Sequence, residues 1–147
     1  MHLLATTQGL IDDGLSAVDL KQSPGDIVFL STADTDLSTL ALAHQNLGSS
    51  APNIRIANLN QLRHPMSIDL YVERTLAGAK LIIARLLGGQ SYWPYGVEEL
   101  TRLSRENSVL LVLLPGDVQP EEELNRLSNV RPDDYLTMFE YFRHGGL

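Results

Sequence analysis

The sequence predicts an α/β protein: an open, mostly parallel sheet of about five strands with helices on both faces, of the Rossmann or flavodoxin type. Two observations carry this. Short runs at 3–5, 27–30, 54–57, 81–87 and 109–114 are mostly apolar rather than alternating, as strands covered on both faces must be. Between them lie segments whose apolar residues recur at helical spacing, and such alternation implies parallel strands joined by right-handed crossovers.

The elements follow in order. After the first run, residues 6–26 show no helix beyond a turn around 14–19. The second run leads into "DTDLSTLALAHQNLG", where Leu37, Leu40, Ala41 and Leu47 share a face. Asp34 or Asp36 can cap its start, and Gly48 supplies the stop. After the third run, Ile68, Val72, Thr75, Leu76 and Ala79 form a stripe that leaves Asp69, Glu73 and Arg74 outside. After the fourth, Pro94 opens a helix with Glu98 and Glu99 toward its positive end and Arg102 and Arg105 toward its negative end. Val97, Leu100 and Leu103 make its buried side. Two more helical pieces close the chain, one opened by Pro120 with Glu121, Glu122 and Glu123 in its first turn, the other opened by Pro132 and carrying Tyr135, Leu136, Phe139 and Phe142.

Bulk properties narrow the function. The chain has 147 residues, enough for one domain spanning 1–147, and its 44% hydrophobic and 20% charged content is that of a globular protein. Eleven Lys and Arg against 18 Asp and Glu give a net charge of −7, and the basic residues are scattered singly, which argues against a nucleic-acid surface. Cysteine is absent, so disulfides, thiolate metal sites and cysteine nucleophiles are excluded. No apolar run approaches the roughly 20 residues that a membrane-spanning helix needs. The start, "MHLLATTQGLIDDG", has neither the basic lead nor the long apolar core of a signal peptide. A cytoplasmic protein with no membrane contact is the expectation.

In an open parallel sheet, ligands sit beyond the carboxyl ends of the strands, so the loops there are the candidates. The first contains Gly9-Leu-Ile-Asp-Asp-Gly14, with phosphate-loop glycine spacing, but Leu15 follows where a lysine must reach the phosphates. Its Thr6-Thr7-Gln8-Gly9 is faintly like the hydroxyl-rich phosphate loop of flavin-binding flavodoxins, and an ordinary turn explains it better. A receiver domain is excluded, because Thr6 and Thr7 stand where acidic ligands are needed and Asn58 where a phosphoacceptor aspartate is needed.

The four histidines, His2, His44, His64 and His144, lack metal-ligand spacing. His44 reads as a packing residue. His64, beside Arg63 and before Pro65, reads equally as a helix start or a ligand contact. The densest chemistry is "ARLLGGQSYWPYG", where Tyr92, Trp93 and Tyr95 follow two glycines. Such rings suit stacking on a planar ligand or anchoring a partner, but composition favours the plainer reading, in which Trp93 and Pro94 plug the gap between loop and helix. Asp117 in "PGD" is either a helix cap or an acidic wall of the crevice.

"MHLLATTQGLIDDGLSAVDLKQSPGDIVFLSTAD", "LRHPMSIDLYVERTLAGAKLIIARLLGGQSYWPYG" and "LLPGD" resemble the amino-terminal region of the CobN-type family of aerobic cobaltochelatase large subunits, relatives of the magnesium chelatase H subunit. The long second block is the specific part. The resemblance implies a fragment of a much longer subunit that inserts cobalt into hydrogenobyrinic acid a,c-diamide in cobalamin synthesis. ATP is then hydrolysed by two smaller partner subunits, and cobalt and ATP are used by the whole complex with no cofactor bound to this segment. Arg63, His64, Tyr92, Trp93 and Tyr95 become candidate substrate-binding positions, with Trp93 or Tyr95 as a face for the flat corrin, and no catalytic or metal-binding residue is assigned. The competing reading is a non-catalytic module that docks through the same aromatic loop onto the remaining domains of its own chain or onto a partner subunit. A flavodoxin-like flavin binder is the third.

Overall fold

The computed structural model describes residues 4–5, 17–117 and 121–144. Four strands, β2 (Ile27–Ser31), β3 (Ile54–Asn58), β4 (Leu81–Leu86) and β5 (Leu110–Pro115), carry the sheet, and a two-residue strand, β1 (Leu4–Ala5), pairs with β3 at one edge. All pairings are parallel, in the order β1-β3-β2-β4-β5. The predicted class therefore holds. Successive side chains point to opposite faces of a strand, and both faces are covered. Val28, Leu30, Ile82, Ala84, Leu111 and Leu113 meet α2 (Pro65–Arg74), α3 (Pro94–Glu106) and Leu124 of α4 (Glu122–Leu127). Phe29, Ile54, Ile56, Val112 and Leu114 meet α1 (Asp34–Leu47) and α5 (Pro132–His144). Each fully buried Leu, Ile or Phe among them contributes about 1.5–3 kcal/mol.

Residues 17–26 form no helix, as expected, and run as a strap against α2. Gln22 is buried: its side chain donates to the Ile56 carbonyl at 3.2 Å and accepts from the Tyr71 hydroxyl, while its own carbonyl accepts from Thr75 Oγ1. Val18 N–H donates to Ser67 Oγ at 2.7 Å. From the other side Arg55, itself buried in β3, donates to the Ser23 carbonyl at 2.9 Å and to Ser23 Oγ at 3.1 Å.

Two local expectations need correction. The residue before α1 is Ala33, with no side-chain cap: Asp34 accepts instead from Asn58 Nδ2 and Asp36 from Arg85, because those donors compete for the carboxylates. In α5 the buried side runs through Tyr135 and Phe139 and on to Phe142, which packs against the sheet, and Leu136 is exposed. The fourth helix starts at Glu122 after Glu121; Pro120 lies outside the described residues, as do His2 and the loop containing Gly9 and Gly14.

Candidate functional site

The carboxyl ends of β3 and β4 carry the two segments singled out in the sequence. After β3 a 3-10 turn, Leu59–Leu62, buries both of its leucines, and Asn58 Oδ1 caps it by accepting from Asn60 N–H at 2.8 Å. Arg63 follows, exposed. His64 is the N-cap of α2: its Nδ1 accepts from Met66 N–H at 3.1 Å, so the neutral ring carries its proton on Nε2. After β4 the chain turns through Gly88 and Gly89, at φ +89° and +69°, where only glycine is unstrained. A Cβ on Gly89 would lie 2.4 Å from both carboxylate oxygens of Glu121.

The two segments come together although β2 separates their strands. The two aromatics of the β4–α3 loop and Tyr95 in the first turn of α3 each donate one hydrogen bond across: Tyr92 Oη to Asn60 Oδ1 at 2.6 Å, Trp93 Nε1 to the Leu62 carbonyl at 2.8 Å, and Tyr95 Oη to Asp69 Oδ1 at 2.6 Å. The three rings staple one crossover to the next. The Asp69 carboxylate holds the Tyr95 phenol neutral, its pKa pushed up to about 12, with burial and Glu99 adding to the effect.

This geometry corrects one expectation. Trp93 is 3% exposed and packed in the core with Val97 and Leu100, so its indole has no open face on which a flat ligand could rest. The plug reading applies to it. Gly96 makes the plug possible, because a Cβ there would sit 2.0 Å from Trp93 Cε2. Tyr92, at 38% exposed, offers ring surface at the rim; Met66, in the first turn of α2, and Leu87, just after β4, are exposed as well. His44, expected as a packing residue, is half-buried and donates from Nε2 to the Pro52 carbonyl at 2.8 Å.

Sequence reasoning passed over a second polar cluster at the same end of the sheet. Arg85, in β4, pairs with Asp36 at 2.8 Å, and Ser31 Oγ donates to the same carboxylate at 2.9 Å. The signal was present: an arginine inside the apolar run "LIIARLL" must find a partner if the strand is covered. Among the described residues no cluster of three or more His, Asp or Glu could hold a metal ion, and no helix is long and apolar enough to cross a membrane.

These features define a doubly wound α/β domain with a stapled aromatic rim at the carboxyl end of its sheet. No family model matches the chain. It is 47% identical over 146 residues to an aerobic cobaltochelatase subunit CobN from a Sinorhizobium species and 42% identical over 149 residues to the subunit of that name from Pseudomonas aeruginosa. Those alignments cover 99% and 100% of this chain but 11% and 12% of the relatives. The catalytic subunit of cobaltochelatase from Mycobacterium tuberculosis superposes with a TM-score of 0.61 at 30% identity, over 83% of this chain and 9% of that one. The chain belongs to the CobN-type cobaltochelatase family, of whose members it spans about one-ninth of the length.

Proposed function

We propose that the chain serves as the amino-terminal domain of the large subunit of an ATP-dependent cobaltochelatase in the cytoplasm. Cobalt and hydrogenobyrinic acid a,c-diamide are its substrates, and two smaller subunits hydrolyse the ATP that drives insertion. The observation behind this reading is the end-to-end similarity to CobN subunits, reinforced by the agreement in fold with a cobaltochelatase catalytic subunit. The segment itself supplies architecture and binding surface rather than catalysis. Its working surface is the stapled rim, where Arg63, His64, Tyr92 and Tyr95 line one wall of the corrin cleft and Trp93 holds that wall rigid from beneath. Exposed Arg63 suits the acidic side chains at a corrin's edge, and the Tyr92 ring suits its apolar face.

A second reading is favoured by the exposure of Met66 in the first turn of α2 and of Leu87 and Tyr92 after β4: the rim docks onto other domains or a partner subunit. One experiment separates the two. In the reconstituted chelatase, Arg63→Glu combined with Tyr92→Ser alters exposed groups, gives up the Tyr92–Asn60 bond and spares the buried Trp93–Leu62 bond. Corrin affinity reduced with assembly intact supports the cleft wall, and assembly lost with the remainder still binding corrin supports docking. Unchanged affinity, assembly and cobalt insertion would remove the rim from both.

A further inference from the structure

The sheet has its switch point between β2 and β4. From β2 the chain leaves through α1 on one face toward β3, and from β4 it leaves through α3 on the other face toward β5. Ligands of doubly wound sheets sit in the crevice beyond such a pair of strands. Here that position holds the Arg85 guanidinium. Its Nη1 donates to both Asp36 oxygens, at 2.8 and 2.9 Å, with side chains 13% and 15% exposed. Ion pairs elsewhere, such as Arg74–Asp19, Arg102–Glu106 and Arg126–Glu123, have a partner at least 47% exposed. The Arg85–Asp36 pair, by contrast, is held largely away from water.

The other edge of this guanidinium, Nε with Nη2, is a fork shaped to grip two anionic oxygens in parallel. Among the described residues it meets two main-chain carbonyls, Pro115 at 3.3 Å and Phe142 at 3.4 Å, both beyond the usual N–H···O range. Phe142 lies in the last turn of α5, whose final carbonyls have no partner within the helix and carry its negative end. The Phe142 ring stacks on Phe29 at 5.3 Å between centroids and lies 5.5 Å from the Arg85 guanidinium carbon. We propose that the Nε–Nη2 edge of Arg85 is a receptor for a carboxylate or phosphate group at the switch point. The last turn of α5 covers it, and the Phe142 carbonyl stands in for the ligand's oxygens. Asp36 neutralises one face of the cation and fixes its plane, leaving the fork directed at the cover. This site is separate from the stapled rim and does not depend on the role proposed above.

The test is a titration of the protein with inorganic phosphate and, separately, with citrate, following the NMR signals of Arg85 Nε–H and of the backbone amides of 141–144. The two arms tell phosphate from carboxylate recognition. Saturable shifts confined to those signals are expected in the millimolar range, several-fold tighter in Phe142→Ala, where the cover loses its stack, and absent in Arg85→Gln. Arg85→Lys keeps the charge without the fork and serves if the glutamine variant loses its dispersed spectrum; binding should weaken markedly there too. No saturable shift in either the native chain or Phe142→Ala overturns the proposal, as do shifts that persist unchanged without the arginine.

Discussion

Trp93 shows how one side chain changes meaning between sequence and structure. In the sequence its indole is a flat surface beside two tyrosines; in the fold its ring fills the core and its N–H satisfies the Leu62 carbonyl. Trp93→Phe keeps most of the volume but leaves that buried acceptor without its donor, at a cost of about 1–3 kcal/mol, measurable as a lower denaturant midpoint with an unchanged slope. The tyrosines make a prediction in pH. Tyr95, bonded to Asp69, and Tyr135, buried and near Glu121, are each pushed up to about 12 from the ordinary phenol value of 10.0. The folded state therefore binds these protons more tightly than the unfolded state. Their contribution is fully present below pH 10.0 and is lost as pH rises toward about 12. Phenolate absorbance should rise late for these two groups, and Tyr95→Phe should flatten the fall in stability over that window. The presence of an aromatic cluster was legible in the sequence. The burial of Trp93 was not, because that depends on Gly96 leaving room for its ring.

At the scale of elements, local pattern worked where the element is set by its own residues. The stripe through Ile68, Val72, Thr75 and Leu76 is buried as read, and Gly48 ends α1 at φ +60°. Pattern failed where an element borrows a partner. The start of α1 lost its aspartate caps to Asn58 and Arg85, donors supplied by other strands. The edge of β5 is closed by a segment with no signal of its own: Leu111 N–H donates to Asn129 Oδ1 at 2.6 Å and Leu113 N–H to Ser128 Oγ at 2.8 Å, covering donors that would invite another strand. The β4–α3 loop offers a test of such borrowing. Gly89→Ala should destabilise by about 1–3 kcal/mol, through left-handed strain and collision with Glu121. Adding Glu121→Ala should recover the collision part and leave the strain. A double-mutant cycle with no coupling would show that the two residues do not meet.

Over the whole molecule, the polar strap is what ties α2 to the sheet. Gln22→Ala removes the acceptor of the Tyr71 hydroxyl and the donor to the Ile56 carbonyl, both buried. A loss of about 1–3 kcal/mol follows, with hydrogen exchange in α2 rising more than in α5. A uniform rise across both helices would place the effect elsewhere. By itself the sequence determined the α/β class, the parallel strands and the kinship with CobN subunits, because periodicity, turn residues and a long shared block are all written along the chain. Strand order, the stapling of the β4–α3 loop to the β3–α2 segment, and the meeting of Arg85 with Asp36 across 49 positions were decided only in three dimensions. Each depends on which strand lies between which, and no local spacing encodes that.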